Sequence, residues 1–427
     1  MDQAPTNLGA HTEAGPASVV TDYYRCPSDS IHIKVSAGRP ATLTSFTFKS
    51  VPCFGRVAGV NDAARPGAGA DTSYEIGSDR SMVLPFDPAE VVENFRHERY
   101  TAKRNSDRML RAAYYTMRPL LGARVRQMIQ RQLVRRRLAG GFPHWPLDCS
   151  VERLLETLMF AALDAREGDE IPFIWFWPEG FTSAVMMTHD VEAAVGRDHC
   201  AMVMDLDAMF AIKAAFQIIP EGRYGNVDAL IDAIKARGFE ANIHDLDHDG
   251  RLYADQEKFR SRATKINQYG KHYGLRGFRA GAMYRQQEWF SFLDFDYEMS
   301  VPTVAHLEPQ EGGCCSVMPY FVGNLLELPL TTVQDHALFY ILREPSIDLW
   351  KRQIESIVEH YGLISFIVHP DYIVGQQEQN AYRELLAHLA AIRESLNLWV
   401  ALPAEINDWW RQRREMRIVR ESDSWQI

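Results

Sequence analysis

The chain has 427 residues and a net charge of −10; 46% of its residues are hydrophobic, 11% are aromatic and 24% are charged. This is an ordinary composition for a soluble globular protein, long enough for one large domain and a substantial extra segment. The N-terminus has no basic start followed by an apolar stretch, and no window approaches the roughly 20 apolar residues of a membrane span, so we expect a cytoplasmic protein. Six scattered cysteines without CxxC spacing argue against a zinc-thiolate site and a disulfide scaffold.

The first 150 residues differ from the rest of the chain, and we expect an accessory segment of short strands, loops and one basic helix. Between Phe95 and Gly140 there are 13 lysines and arginines against two acids. Here "RPLLGARVRQMIQRQLVRRRLAGG" spaces its apolar residues as in an amphipathic helix. The helix either docks on the acidic remainder of the chain, which we favour, or contacts an anionic membrane or a phosphate-bearing ligand. No pattern indicates binding to nucleic acid.

From residue 151 to residue 427, predicted helices and strands alternate. The helix "VERLLETLMFAALDAR" precedes the strand "PFIWFW", and predicted helices separate the later strands "AAFQIIP", "FEANIH", "LRGFRAG" and "LISFIVH". This alternation predicts a parallel sheet, either open or closed into a barrel. In such folds the chemistry lies at the carboxyl ends of the strands.

Polar residues of unusual types follow the predicted strands at the points where the strands end. These residues are Asp190, Glu192, His244, His248, Arg279 and His369. The four-residue spacing of His244 and His248 would direct both imidazoles to one point on a helical turn. Two imidazoles and a carboxylate at neighbouring strand ends indicate a divalent metal site with open coordination positions, although an isolated HxxxH pair is more often structural.

Five stretches, in this order along the chain, resemble the motifs of the polysaccharide deacetylase family, the carbohydrate esterases with a NodB homology domain. They are "THDVE", "HDLDH", "GFRAGAMY", "LELPLTT" and "FIVHPDY", and they span roughly residues 170–375. The resemblance implies a distorted (β/α) barrel with fewer than eight regular units in residues 151–427, preceded by an extra mixed segment in residues 1–150. It also implies metal-dependent hydrolysis that removes the acetyl group of an N-acetylated sugar or polysaccharide precursor.

The first motif departs from the family pattern, which usually reads Thr-Phe-Asp-Asp-Gly with a general base followed by a metal ligand. In "THDVE" the two acids are one residue further apart. The resemblance then implies that Asp190 is the base and Glu192 the metal ligand, but the two roles could be exchanged. His244 and His248 match the metal-binding histidine pair of the family.

Two further strand-end residues have roles implied by the resemblance. Arg279 matches the arginine that orients or tunes the catalytic carboxylate. Its ion-pair partner is one of three acids: Asp190, Glu327 or Asp335. His369 matches the last-strand histidine that serves as general acid, a task suited to a group that titrates near neutrality. For each of these residues a purely structural role stays open.

The remaining expectations concern substrate, cofactor and alternatives. Tyr284 and Trp289 are the predicted substrate-binding residues, with core packing as the alternative. The cofactor would be one divalent ion, with zinc first and cobalt, nickel, iron or manganese compatible with the same ligands. Two other functions stay open: hydrolysis of a small cyclic amide by a related amidohydrolase, and carbohydrate binding without catalysis if the altered "THDVE" motif means a degenerate metal site.

Overall fold

The computed structural model describes residues 15–59, 71–101, 134, 137–138, 141–166, 170–421 and 424–427. Within these residues the α-helices are α1 (Ser18–Tyr24), α2 (Pro88–Arg96), α3 (Ser150–Ala165), α4 (Ala194–Met209), α5 (Val227–Ala236), α6 (Gln256–Tyr273), α7 (Asp348–Glu359), α8 (Gln376–Ile392) and α9 (Pro403–Glu415). Shorter helical turns lie at Pro178–Gly180, Gly281–Met283, Gln287–Phe292 and Ala337–Leu342.

The strands of the described residues are short except for one. They are β1 (Ile33–Val35), β2 (Thr44–Phe48), β3 (Val51–Gly55), β4 (Asp71–Thr72), β5 (Glu75–Ile76), β6 (Met82–Leu84), β7 (Ser183–Val191), β8 (Ala214–Ile218), β9 (Glu240–His244), β10 (Gly277–Arg279), β11 (Tyr297–Glu298), β12 (Tyr320–Val322), β13 (Leu325–Glu327), β14 (Leu363–Ile367), β15 (Leu398–Val400), β16 (Val419–Glu421) and β17 (Ser424–Gln426). The long strand β7 has nine residues.

The chain divides into two compact units. The first comprises the described residues of Met1–Asn94, Arg153–Ile174 and Met416–Ile427, and the second those of Phe95–Glu152 and Trp175–Glu415. The first unit contains two small sheets, with strand orders β1-β6-β5 and β3-β2-β4, and the β16-β17 hairpin. The predicted division into residues 1–150 and 151–427 stays a prediction.

The second unit is built on one sheet with the strand order β12-β13-β11-β10-β9-β8-β7-β14, and β15 pairs with the beginning of β7. The strand pairs of this sheet are parallel, except for the antiparallel pair β12–β13. Helices α4, α5, α6, α7 and α8 lie in the connections between parallel strands. The predicted α/β alternation is therefore confirmed, but one predicted strand is wrong: "PFIWFW", residues 172–177, forms no strand, and the first strand of this sheet is β7.

The central strand β7 shows why this sequence forms a covered parallel sheet. All nine of its residues are buried, and β8 and β14 pair with its two sides. Strands that are covered on both faces are nearly continuous apolar runs, as "SAVMM" is at the start of β7. The polar residues that follow, up to Asp190 near the carboxyl end, depart from this pattern and need buried partners.

Hydrogen bonds join the segment that follows β13 to the edge strand β14. After β13 ends, the Thr331 hydroxyl donates to the Leu363 carbonyl at 2.7 Å and accepts from the Ser365 N–H at 2.9 Å. The N–H and the hydroxyl of Thr332 donate to the Ser365 carbonyl at 3.2 Å and 2.8 Å. Since Leu363 and Ser365 belong to the edge strand β14, these bonds close the sheet without a regular strand pair. The result is a distorted barrel, as predicted.

A buried polar network lies beside β7. His189 Nδ1 is 2.9 Å from the Val368 carbonyl, and His189 Nε2 is 3.0 Å from Asp207 Oδ2. The Tyr382 hydroxyl donates to Asp207 Oδ1. The His189, Asp207 and Tyr382 side chains are buried, so these hydrogen bonds satisfy groups that would otherwise be costly to remove from water. They tie helices α4 and α8 to the strand that carries Asp190.

The predicted basic helix, residues 118–141, falls almost entirely outside the described residues. Of its arginines, Arg137 is described, and its Nε atom lies 2.8 Å from Glu311 Oε1. Contact of this stretch with an anionic membrane or a phosphate-bearing ligand stays a prediction. In the part of the chain that the structure describes, no helix has both the length and the apolar character needed to cross a membrane.

The buried network of His189, Asp207 and Tyr382 should contribute to stability. Tyr382→Phe removes the hydroxyl that donates to Asp207, so the buried carboxylate keeps one hydrogen bond fewer. The free energy of unfolding should fall by about 1–3 kcal/mol, measured by urea denaturation. Tyr361→Phe is the matched control because Tyr361 is 41% exposed, and its effect should stay within about 0.5 kcal/mol. Equal effects of the two substitutions would contradict the prediction.

Candidate metal centre

The three predicted metal ligands converge at the carboxyl ends of β7 and β9. One side-chain atom each of Glu192, His244 and His248 lies within 4.8 Å of the other two. Glu192 Oε1 is 3.0 Å from His248 Nε2 and 4.0 Å from His244 Nε2. Both histidines are buried, whereas the Glu192 side chain is 26% exposed. The carboxylate is thus the ligand nearest to solvent.

The backbone after β9 explains how one strand end supplies two imidazoles. β9 ends at His244, and Asp245 and His248 then adopt left-handed conformations with φ of 59° and 52°. The Asp245 N–H donates to the Arg279 carbonyl at 2.8 Å, which holds the start of the turn against β10. The turn is not the helical one that the four-residue spacing suggested. It nevertheless brings the two imidazole centroids to 5.0 Å from each other.

The donor atoms of this cluster fit a divalent metal ion. The Nε2 atoms of His244 and His248 are buried and make no hydrogen bond of acceptable geometry. His244 Nδ1 lies 3.2 Å from the Arg279 carbonyl, an acceptor that places the proton on Nδ1 and the lone pair on Nε2. Burial opposes ionisation of Glu192, but its electrostatic interactions with the neighbouring imidazoles, of which His248 contributes most, hold its pKa well below the ordinary value. Two imidazole nitrogens and one carboxylate match the ligand preferences of zinc and of several other transition metals.

Asp190 is held ionised by Arg279. Arg279 Nη1 donates to Asp190 Oδ1 at 2.6 Å and to the Thr188 hydroxyl at 2.8 Å, and Arg279 Nε donates to the Met299 carbonyl at 2.9 Å. Burial would raise the pKa of Asp190, yet the positive charges of Arg279 and the nearby histidines lower it. The second carboxylate oxygen lies 3.8 Å from His244 Nε2. Asp190 is thus the ion-pair partner of Arg279 among the three acids considered.

Asp335 is instead the partner of His369. Its Oδ1 atom is 2.6 Å from His369 Nδ1, and its Oδ2 atom accepts the His369 backbone N–H at 2.8 Å. Burial opposes the charged imidazolium, but the charge and hydrogen bond of Asp335 raise the pKa of His369 to about 10. His369 Nε2 lies 3.8 Å from Glu192 Oε1, so the free nitrogen faces the candidate metal centre.

Glu327, the third acid considered for Arg279, lies in a separate pair with Glu298. Both side chains are completely buried at the ends of β13 and β11. Backbone N–H groups support them: Val301 donates to Glu327 at 2.9 Å and Ser300 donates to Glu298 at 2.8 Å. Burial and the neighbouring Glu298 carboxylate raise the pKa of Glu327 well above its ordinary value. Two carboxylates in one buried site do not both ionise readily, so the pair holds a proton to higher pH than an isolated glutamate does.

The predicted substrate-binding residues lie after β10. Tyr284 follows the turn Gly281–Met283 and is buried. The Trp289 ring stacks on Tyr253 at a centroid distance of 6.0 Å and contacts the Phe259 ring at 5.4 Å. These contacts are those of core packing, and a role in substrate binding stays a prediction for both residues.

Sequence reasoning missed two residues beside the candidate metal centre. Asp371 accepts the Glu192 N–H at 2.8 Å. Arg223 lies with its Nη2 atom 3.3 Å from His248 Nδ1, so this histidine has a donor rather than an acceptor at its second nitrogen. Asp371 could have been noticed because it follows His369 by two residues in "FIVHPDY"; Arg223 lies in a loop without any motif.

Metal content tests the centre directly. We expect close to one equivalent of a divalent metal in gently purified protein after incubation with zinc or cobalt, measured by elemental analysis. The His244→Ala, His248→Ala double variant should lose it, because two of three ligands are removed. His272→Ala, His388→Ala is the matched control and should keep it. Metal retention by the first variant would show that the ion binds elsewhere.

The Glu298–Glu327 pair predicts a pH dependence of stability. Because the pKa of Glu327 is raised in the folded state, this group stabilises the fold most below about pH 4.3, and its contribution falls as pH rises toward the folded-state pKa. Glu327→Gln keeps the shape but cannot lose a proton. Its free energy of unfolding should therefore decline less between pH 5 and pH 9 than that of the wild type. The surface substitution Glu394→Gln is the control and should follow the wild-type slope; an identical slope in Glu327→Gln would refute the shared proton.

No protein-family model matches the chain, and no curated protein does. Solved structures are similar to it. A Mycobacterium smegmatis protein named as a polysaccharide deacetylase is 20% identical over 58% of this chain and 96% of its own, with a TM-score of 0.44. The allantoinase PuuE is 13% identical over 57% of this chain and 95% of its own, with a TM-score of 0.45. A mutant of peptidoglycan deacetylase PdaC from Bacillus subtilis is 10% identical over 54% of this chain and 93% of its own, with a TM-score of 0.35. The solved structures to which the chain is similar thus include polysaccharide and peptidoglycan deacetylases.

Proposed function

We propose that this protein is a metal-dependent hydrolase that removes the acetyl group from an N-acetylated sugar or sugar polymer precursor. The observation that carries the proposal is the convergence of Glu192, His244 and His248, with a buried carboxylate on one side and a histidine–aspartate pair on the other. Amide hydrolysis needs electrophilic activation, a base and an acid, and this edge of the barrel offers residues for each task.

The metal would be held by Glu192, His244 and His248. When bound, a divalent cation supplies Lewis acidity, which polarises an acyl oxygen and lowers the pKa of water. Asp190 is the general base in this proposal. Its Oδ1 atom is occupied by Arg279, so Oδ2, on the side of His244, is the oxygen that accepts a proton from the attacking water. The ion pair with Arg279 keeps Asp190 unprotonated between turnovers.

His369 is the general acid. An amine is a poor leaving group until it is protonated, so the departing nitrogen needs a donor that is charged at working pH. The raised pKa of His369 satisfies this condition, and Asp335 fixes the ring through Nδ1 and the backbone N–H. The proton therefore leaves from Nε2, on the side of Glu192.

The bond that this site would hydrolyse is the amide of an N-acetyl group. A cytoplasmic enzyme would meet activated or lipid-linked precursors rather than finished polymer. A phosphate-bearing precursor would complement the arginines of the basic stretch between Phe95 and Gly140.

The decisive experiment measures acetate release from oligomers of N-acetylglucosamine by the zinc- or cobalt-loaded protein. Asp190→Asn and His369→Ala should each lower kcat by about 10²–10⁴, because each removes one proton-transfer group. The matched controls are Asp198→Asn and His272→Ala, which alter exposed residues outside the cluster and should retain activity.

Three results would contradict the proposal. Opening of a cyclic ureide without acetate release would favour the amidohydrolase alternative. Sugar binding without turnover by the metal-loaded protein would favour a non-catalytic role. Activity that survives in both Asp190→Asn and His369→Ala would remove the assigned mechanism even if acetate were released.

A further inference from the structure

Helix α4 begins immediately after the loop that carries Glu192, and it lacks a capping residue of its own. The residue at the cap position is Ala193, which has no side-chain oxygen, and the first turn of α4 contains no acid. The first N–H groups of any helix have no partner within the helix, and an anionic group near them is stabilising. The start of α4 therefore depends on a partner from elsewhere in the chain.

Asp371 is that partner. Its Oδ1 atom accepts the N–H of Gly196 in the first turn of α4 at 3.2 Å, and its Oδ2 atom accepts the N–H of Glu192 at 2.8 Å. Asp371 lies in the loop after β14, 179 residues from Glu192 and two residues after His369. One carboxylate thus binds both the helix start and the backbone of the candidate metal ligand.

Gly196 is adapted to this contact. A Cβ atom at this position would lie 2.1 Å from Asp371 Oδ2 and 2.4 Å from Asp371 Cγ. Such distances are far inside van der Waals contact, so a side chain at position 196 would displace the carboxylate. Glycine inside a helix is less favourable than alanine, and the close approach of Asp371 explains why position 196 is nevertheless a glycine.

We propose that Asp371 is a positioning residue for the metal centre: it fixes the backbone of Glu192 and ties the metal-ligand loop to the loop that carries His369. This inference rests on the proposed function. Groups that orient a metal ligand from behind commonly change metal affinity 10–100-fold when they are removed. Asp371 binds the main chain of Glu192. Its loss therefore removes no metal ligand, but it releases the loop that orients the Glu192 side chain.

The test measures the dissociation constant for zinc or cobalt by competition with a chelator, using the full-length protein. Asp371→Ala should bind metal about 10–100-fold more weakly than the wild type. Asp371→Asn keeps one acceptor oxygen and loses the other, so we expect a smaller loss. Gly196→Ala should also weaken binding, although it removes no acid, because its Cβ displaces Asp371. The matched control is Asp198→Asn, an exposed acid of the same helix, which should bind like the wild type.

The outcomes separate this inference from the proposed function. If the wild type binds metal, and Asp371→Ala and Gly196→Ala both bind it with the same affinity, the positioning role is overturned and the proposed function stays intact. An equal loss in Asp198→Asn would overturn it as well, since general charge rather than the specific contact would then be responsible. A wild type that binds no metal would overturn the proposed function itself. The melting temperature of each metal-free variant must show a folded protein, and Gly196→Ala supplies an independent measurement if Asp371→Ala does not fold.

Discussion

The buried ion pair between Arg279 and Asp190 constrains the second unit. Its two residues lie at the ends of β10 and β7, and β9 and β8 lie between these strands in the sheet. In a flat sheet, strands three places apart are separated by about 14 Å, which is further than an arginine side chain and a carboxylate can bridge. The 2.6 Å contact therefore requires a strongly curled sheet. Curling also directs the strand-end side chains toward one another, so the geometry that satisfies the buried charges is the one that assembles the candidate metal centre.

Buried polar groups also close the barrel. β13 and β14 make no regular pair, and the hydrogen bonds of Thr331 and Thr332 to β14 take its place. Asp335 continues this set of contacts by binding His369 through the ring and the backbone. The orientation of the proposed general acid is thus coupled to closure of the sheet.

Local patterns in the sequence were sufficient to predict the α/β alternation and the strand-end positions of Asp190, Glu192 and His369, because burial and strand polarity are encoded within a few residues. They did not locate the first strand: the apolar run "PFIWFW" is not a strand, and β7 begins at Ser183. Which side chains would pair with one another was not predictable from the sequence. Asp335 and His369 are 34 residues apart, and their pairing depends on how the barrel closes. The turn that carries His248 also differs from the helical one expected, because Asp245 and His248 adopt left-handed conformations that the HxxxH spacing does not reveal. Asp371 could not be assigned as a partner of Glu192, since only the fold brings them together.

The group that caps α4, Asp371, lies on a loop distant in sequence, and this couples two parts of the candidate site. A serine or aspartate at position 193 would satisfy the start of α4 locally, and the loop of Glu192 would then be independent of the loop after β14. With Ala193 there and Asp371 supplying the hydrogen bonds, the backbones of the proposed metal ligand and of the proposed general acid are joined within one short network. The 3.8 Å separation of His369 Nε2 and Glu192 Oε1 then depends on main-chain contacts as well as on side-chain rotamers. This network holds the proposed general acid and the proposed metal ligands at a fixed distance from one another. Groups that are preorganised in this way need little rearrangement during the reaction.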